Sequence, residues 1–109
     1  MIKATELRIG NLLEARIKKY NNSEHISITA SGLMDIFSNG EKSFTEYNPI
    51  ILTEDWLIGL KLPIEFGIGK DIGGIFYWIN GAKKYLKYVH QLQNLYFALT
   101  GEELTRVDG

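Results

Sequence analysis

The sequence predicts an α+β fold, and three observations carry that prediction. Between Leu92 and Leu99 the large apolar residues recur at the spacing of one face of an α-helix. The pair Asn80-Gly81 lies between two aromatic-rich segments, which is typical of a β-hairpin with a two-residue turn. Residues 7–47 alternate short apolar stretches with turn-forming residues, which is typical of consecutive strands. The 109 residues are expected to form a single domain, 1–109, whose core needs no metal or disulfide.

The N-terminal part is predicted to be a β-meander. The stretch Leu13 to Ile17 alternates apolar with charged residues, which predicts a strand with one buried face. The same alternation recurs from Ile26 to Ala30. Turn signals then precede two more predicted strands, at Leu33 to Phe37 and at Phe44 to Tyr47. Short strands joined by tight turns favour either a small curled sheet or an SH3-like small barrel.

Two helices are predicted in the remainder of the chain. Thr53 is a good N-cap residue, and the acidic residues directly after it favour a helix start because they lie near the positive end of the helix dipole. Pro63 is expected to end this short helix. The C-terminal helix is expected to end at Gly101, with His90 as a poor N-cap. The side chains expected to be buried are Trp56, Leu57 and Leu60 on the short helix and Leu92, Leu95, Tyr96 and Leu99 on the C-terminal one.

A second β unit is predicted over residues 64–89. Its glycine-rich part, Gly67 to Gly74, is interpreted as a loop, because it lacks the glycine spacing and the following helix of a dinucleotide-binding motif. A hairpin follows, and Asn80-Gly81 sets its register. The cross-strand pairs expected from that register are Ile79 with Ala82, Trp78 with Lys83, Tyr77 with Lys84 and Phe76 with Tyr85.

The composition disfavours several chemistries. The chain has no cysteine, which excludes disulfides, thiolate metal ligands and cysteine nucleophiles. His25 and His90 have no ligand-type neighbour at helical spacing, so no metal site is expected. The sequence contains no catalytic or cofactor-binding motif, which makes an enzyme the least favoured function. The formal net charge of −1 gives no global attraction to nucleic acid or to an acidic membrane, and no segment approaches the length of a membrane span.

The first candidate interaction surface lies on the C-terminal helix. Phe97 falls on the side away from the leucine face, together with His90 and Asn94. A large aromatic residue in that position is either covered by another element or available to a partner. A second copy of the chain is one such partner.

The second candidate surface lies on the predicted hairpin. Trp78 and Tyr85 share a strand face with Lys83 and Lys87. This combination suits single-stranded nucleic acid, whose bases stack on aromatic rings and whose phosphates are neutralised by lysine. The alternative interpretation is that the rings belong to the core and that the lysines protect an edge strand from aggregation.

Three stretches of the chain resemble a known family. They are Glu6-Leu7-Arg8-Ile9-Gly10-Asn11-Leu12, the segment from Pro49 to Leu57, and the longer segment from His90 to Leu104. These stretches resemble small uncharacterised proteins associated with bacterial phages, prophages and mobile elements, especially of gut bacteria. The resemblance implies no particular activity, and it favours an accessory role inside the cell.

The function predicted from these observations is a non-enzymatic module that binds another protein or itself and that needs no cofactor. A single-stranded nucleic-acid-binding accessory protein is the alternative. A cytoplasmic location is expected, because cysteine is absent and the first seven residues lack the apolar stretch of a signal peptide.

Overall fold

The computed structural model describes residues 2–60, 62 and 67–104, which form two three-stranded antiparallel sheets and three α-helices. The predicted α+β fold class is therefore confirmed. The chain divides into two compact units, Met1–Ile50 and Ile51–Gly109, and each unit contains one of the sheets. The single domain expected from the chain length stays a prediction.

The sheet of the first unit consists of β1 (Leu12–Ile17), β2 (Asn22–Ser27) and β3 (Thr45–Asn48). The strand order is β2-β1-β3, so β1 is central and both neighbours are antiparallel to it. The alternation that predicted the first two strands is visible in β1, where Leu13 and Ala15 are buried. These two residues begin the core on one side of the sheet.

A helix replaces the predicted third strand of the meander. Helix α1 (Ala30–Asn39) contains the whole stretch from Leu33 to Phe37. Thr29 caps it, since the Thr29 hydroxyl accepts a hydrogen bond from the Gly32 amide at 3.2 Å. The apolar residues of this stretch recur at i, i+3 and i+4, a helical spacing that the flanking turn signals obscured.

The prediction of a β-meander was therefore wrong. After β2 the chain passes through α1 and returns as β3 on the opposite edge of β1. Gly40, which belongs to the turn signal before the predicted strand at Phe44 to Tyr47, instead follows the helix end with a φ of 54°. Within the described residues the three strands do not close into an SH3-like barrel, because β2 and β3 both pair with β1 rather than with each other.

The core of the first unit lies between this sheet and the elements beside it. Side chains from both sheet and helix contribute, and partly buried residues from the N-terminal segment complete the cluster. The buried members are Ile2, Leu13, Ala15, Ile28, Ile36 and Tyr47.

The second unit begins with a short antiparallel bridge and helix α2 (Glu54–Leu60). Ile51 forms the bridge with Tyr88. Helix α2 starts where the sequence predicts, with the Thr53 carbonyl accepting hydrogen bonds from the helix's first turn. Leu60 is buried as expected, whereas the other two predicted core residues of α2 are half-buried. Pro63, expected to end the helix, lies outside the described residues.

The second sheet consists of β4 (Ile68–Asp71), β5 (Gly74–Ile79) and β6 (Ala82–Tyr85), in the order β4-β5-β6. The register predicted for the β5–β6 hairpin is confirmed at all four pairs. Asn80 and Gly81 both have positive φ, 49° and 79°, as the predicted turn requires. The interpretation of the glycine-rich segment as a loop was wrong, because half of it, Ile68–Asp71, forms β4 and pairs with β5. Residues 64–66 of the predicted β unit lie outside the described residues.

Helix α3 (Val89–Thr100) is the predicted C-terminal helix. It ends at Gly101, whose φ of 74° gives the expected left-handed cap. His90 is not its N-cap. The side-chain carbonyl of Gln91 accepts hydrogen bonds from the backbone amides of Lys87 at 2.8 Å and Tyr88 at 3.0 Å, so a residue inside the first turn satisfies the amides that precede it.

The buried face of α3 differs from the predicted one at its C-terminal end. Leu99 is 49% exposed and Leu95 is half-buried. Gln93, by contrast, is fully buried, and its side-chain amide donates to the Leu104 carbonyl at 2.9 Å. Because that hydrogen bond removes the cost of burying an amide, the inward face can include a polar residue. The buried face consists of Val89, Leu92, Gln93 and Tyr96, with His90 beside it.

Candidate functional site

The most developed candidate site is one side of the second sheet, here called the aromatic face. It carries Asp71, Phe76, Trp78, Lys83 and Tyr85. The register pairs Phe76 with Tyr85 and Trp78 with Lys83, and strand alternation then directs all four side chains to the same side. Asp71, opposite Gly74, joins them from β4. The sequence thus predicted four of the five members of this face correctly as neighbours, all except Asp71.

The three rings form a partly buried and partly open arrangement. Phe76 is 6% exposed, whereas Trp78 and Tyr85 are each 49% exposed. The Phe76 ring lies 5.4 Å from the Trp78 ring at 88° and 5.9 Å from the Tyr85 ring at 71°. Both contacts are edge-to-face, a favoured geometry for aromatic pairs. Phe76 therefore anchors two aromatic residues that each offer about half of their surface to solvent.

Two glycines of β4 and the following turn make this ring packing possible. A Cβ atom at Gly69 would lie 2.5 Å from the Phe76 ring, and one at Gly73 would lie 2.9 Å from the Tyr85 ring. Neither distance is compatible with a side chain in place. The glycine-rich segment thus serves the close approach of aromatic rings.

Asp71 is the polar centre of the aromatic face. One carboxylate oxygen, Oδ2, accepts a hydrogen bond from Lys83 Nζ at 2.6 Å and lies 2.9 Å from the Tyr85 hydroxyl. The other, Oδ1, accepts from the Gly73 amide at 2.8 Å and lies 3.2 Å from the same hydroxyl. The carboxylate is therefore held from two sides, by the Gly73 amide of the turn and by the Lys83 and Tyr85 side chains of β6.

The hydrogen bonds also set the charges of the site. The Lys83 ammonium, with help from the Tyr85 hydroxyl and the Gly73 amide, lowers the pKa of Asp71 below its usual 3.8. The same carboxylate raises the pKa of Lys83 and of Tyr85. At neutral pH the site therefore contains a carboxylate, an ammonium and a protonated phenol, and its two formal charges cancel.

Lys83 and Lys87, predicted to act together, are in different surroundings. The Lys83 ammonium lies 4.8 Å from the centre of the Phe76 ring and 5.7 Å from that of Trp78. The Lys87 ammonium lies 5.3 Å from the Tyr88 ring, beyond the end of β6. The structure thus brings Trp78, Lys83 and Tyr85 together and gives Lys87 a separate aromatic neighbour.

The surface predicted on the C-terminal helix is not formed as expected. His90 is only 2% exposed, and its ring stacks on Tyr88 at a centroid distance of 5.7 Å. Asn94 is half-buried, and Phe97 is 38% exposed. A buried histidine cannot contribute to an exposed surface, so Phe97 is the main exposed member of the predicted group. The sequence did not indicate that the buried face of α3 extends to His90.

A depression of about 560 Å³ in the first unit is a second place where polar groups meet. Asp35 lies in its wall, and its carboxylate accepts hydrogen bonds from the Ser43 hydroxyl and, at 2.7 Å, from the Asn39 amide. These two bonds lower the pKa of Asp35. A carboxylate held by its own neighbours in the charged state is a weak proton acceptor. Tyr47 and the hydroxyl residues Ser27, Thr29 and Ser31 also line the depression.

Asp71 was not among the predicted site residues, although the sequence contains a signal for it. The order Asp71-Ile72-Gly73-Gly74 is typical of a tight turn in which the aspartate side chain accepts from the amide two residues later. Recognition of that turn would have predicted a strand that ends at Asp71. It would also have predicted that the Asp71 carboxylate lies beside the β5–β6 hairpin. The glycines of the segment, interpreted as loop residues, concealed the strand.

Comparisons with known protein families, with curated proteins and with solved structures found no match for this chain. None of the helices in the described part of the chain has the length and apolar character to cross a bilayer. Across residues 2–60, 62 and 67–104, histidine and carboxylate side chains form no group of three or more suited to a metal ion.

Proposed function

We propose that this chain is a non-enzymatic interaction module that binds a protein partner through its aromatic face. The observation that carries the proposal is that Trp78 and Tyr85 are half exposed and yet held in place by Phe76 and Asp71. Tryptophan and tyrosine are the residues that most often dominate the binding energy of protein interfaces. Rings that are already ordered lose little conformational entropy on binding.

The charges of the aromatic face favour a protein partner over nucleic acid. A phosphate backbone approaching Trp78 and Tyr85 would meet the Asp71 carboxylate as well as the Lys83 ammonium, which already form an ion pair at 2.6 Å. Affinity for nucleic acid depends mainly on lysine and arginine side chains that can neutralise phosphates, and Lys83 is already neutralised by Asp71. Single-stranded nucleic-acid binding is the second candidate function, and it is supported by the exposed rings of Trp78 and Tyr85 as stacking platforms.

An accessory role, of the kind suggested by the resemblance to phage- and mobile-element-associated proteins, is part of this proposal. Its non-enzymatic character is supported by the Asp35 depression in the first unit. There the carboxylate is engaged by Ser43 and Asn39, and its lowered pKa suits a structural role better than proton transfer.

The experiment compares two tagged forms of the full chain as baits in an extract of cells that express it. One is the wild type, and the other carries Trp78→Ala and Tyr85→Ala. We expect the wild type to retain a protein that survives nuclease treatment and that the double variant loses. Lys84→Ala is the matched control, because Lys84 pairs with Tyr77 on the opposite side of the sheet. The purified partner must then bind the purified wild type and the control with similar affinity.

Two results would contradict the proposal. A partner that disappears after nuclease treatment, with direct binding of single-stranded oligonucleotide to the purified chain, would establish the second candidate function instead. A partner retained equally by the double variant, with that variant shown by circular dichroism to be folded, would place the binding surface elsewhere on the chain.

A further inference from the structure

The position of the Lys83 ammonium identifies a binding site for a cation on the aromatic face. The ammonium lies between an anionic oxygen, Asp71 Oδ2 at 2.6 Å, and two aromatic rings, Phe76 at 4.8 Å and Trp78 at 5.7 Å. A cation within about 6 Å of a ring centre is attracted by the negative charge of the ring face. The two rings are at 88° to each other, so they form two different walls. A carboxylate with two such walls is the combination that recognises alkylammonium groups.

The site does not depend on Lys83 for its shape. Asp71 is oriented by the Gly73 amide and the Tyr85 hydroxyl, and Phe76 is buried. Neither these contacts nor the edge-to-face contact between the Trp78 and Phe76 rings involves Lys83. The acceptor and both walls are therefore preorganised.

Lys83 is also able to leave. It lies on β6, an edge strand of the described sheet, and its side chain is 38% exposed. Exposed ion pairs of this kind contribute little net stability, since each partner is readily solvated and a long lysine side chain loses rotamer freedom in the pair. An external cation can therefore take its place.

The Asp71 carboxylate and the rings of Phe76 and Trp78 are here called the cation cage. We propose that Lys83 occupies this cage in the free protein and that the proposed protein partner displaces it with a lysine side chain of its own. This inference rests on the proposed function and adds the chemistry that the partner presents. Charge complementarity supports it, because removal of Lys83 leaves the Asp71 carboxylate as the charge of the cage. The occupancy by Lys83 itself shows that a lysine ammonium fits.

The hydrogen bonds already made by Asp71 favour ammonium over guanidinium. Oδ1 accepts from the Gly73 amide, and both oxygens face the Tyr85 hydroxyl. The departure of Lys83 therefore opens one acceptor position, on Oδ2. A single position suits one N–H of an ammonium, whereas arginine binds carboxylates best through two parallel hydrogen bonds.

The test uses the full chain with Trp56→Phe, which leaves Trp78 as the one tryptophan, since the sequence has two. The probe is Nα-acetyl-lysine N-methylamide, and binding is followed by Trp78 fluorescence. We expect Lys83→Ala to bind the probe about three- to sixfold more tightly than the parent, because an exposed ion pair keeps the site filled by its own lysine for most of the time and lowers the apparent affinity by that factor. The arginine analogue should bind more weakly, and the neutral norleucine analogue should not bind.

Asp71→Asn and Lys84→Ala are the control variants. Asp71→Asn combined with Lys83→Ala should abolish binding of the lysine probe, whereas Lys84→Ala, on the other side of the sheet, should behave as the parent does. Lys83→Gln repeats the comparison in case the alanine variant does not fold. Equal affinities with and without Lys83, or binding of the arginine analogue at least as tight as that of the lysine probe, would overturn the inference.

The two proposals can fail separately. A partner that is lost from the Trp78 and Tyr85 double variant, combined with no lysine-probe binding by the Lys83 variants, refutes the cage and leaves the aromatic face as an interaction surface. The other possible outcome is a partner retained by that double variant together with tight probe binding by Lys83→Ala. The cation cage would then exist, but the partner would not use it. This outcome refutes both the proposed function and the displacement of Lys83 by the partner.

Discussion

At the scale of single residues, Gly69 and Gly73 have different consequences although both make room for an aromatic ring. Gly69 faces Phe76, which is 6% exposed, and Gly73 faces Tyr85, which is 49% exposed. Neither glycine has a positive φ, so an alanine in either place meets no backbone penalty. The two positions therefore isolate the effect of ring packing.

We predict that Gly69→Ala lowers the free energy of unfolding by about 1–3 kcal/mol, the usual range for overpacking a core. The buried Phe76 ring has little space in which to move. Gly73→Ala should cost less than about 1 kcal/mol, because the half-exposed Tyr85 ring can shift into solvent. Chemical denaturation of both variants measures the difference. Equal losses would show that the two rings are held with the same firmness.

At the scale of elements, helix α3 was predicted correctly as a helix, but the side of it that is buried differs from the predicted side. Its existence and its end at Gly101 follow from local signals. Its inward face does not, because Gln93 is buried and Leu99 is exposed. An apolar stripe chosen from the sequence excludes glutamine, whereas in the folded chain the Leu104 carbonyl satisfies the Gln93 amide.

The revised orientation of α3 gives a prediction with an internal control. Leu92→Ala should lower the free energy of unfolding by about 2–5 kcal/mol, since Leu92 is completely buried. Leu99→Ala makes the same chemical change at a side chain that is 49% exposed, and it should cost under roughly 0.5 kcal/mol. Urea denaturation monitored by circular dichroism distinguishes the two. A Leu99→Ala loss as large as that of Leu92→Ala would restore the originally predicted face.

Helix α1 shows the opposite error, in which the type of element was wrong. Turn signals at Ser31-Gly32 and Asn39-Gly40 suggested a strand between two tight turns. In the structure the same residues begin and end a helix, with Thr29 as its cap and Gly40 beyond its last turn. Glycine, serine and asparagine favour helix ends and tight turns alike, so these signals do not distinguish a strand from a helix.

At the scale of the whole molecule, exposed aromatic residues raise the question of self-association. Phe97 is 38% exposed on α3, and it is the part of the predicted helix surface that the structure leaves most accessible. If two copies associate through this face, Phe97→Asp should make the protein monomeric without unfolding it, because a charge is costly to bury in an apolar interface. Light scattering of wild type and variant at high concentration measures this.

Ile58→Asp is the matched control for that experiment, since Ile58 is 74% exposed on α2 and receives the same charge. Association that persists in the control and is lost in Phe97→Asp locates the interface on α3. A wild type that is monomeric at high concentration would show that Phe97 does not mediate self-association. Unfolding of Phe97→Asp would show that Phe97 acts as a core residue.

The candidate site was partly predictable from the sequence. Asn80-Gly81 determined the register of the hairpin, and with it the pairing of Trp78 with Lys83. The role of Lys83 was not predictable in the same way. Its pairing with Asp71 depends on β4, a strand that the four glycines of residues 67–74 made resemble a loop.

The sequence by itself determined the features that depend on neighbouring residues: the α+β class, the hairpin and its register, the start of α2 directly after Thr53 and the end of α3 at Gly101. Tertiary structure decided which face of α3 is buried, that α1 is a helix, and that Asp71 neutralises Lys83. The physical reason is that turns and caps are set by backbone geometry over a few residues. Burial and ion pairing require partners distant in the chain, and only the folded chain brings those partners together.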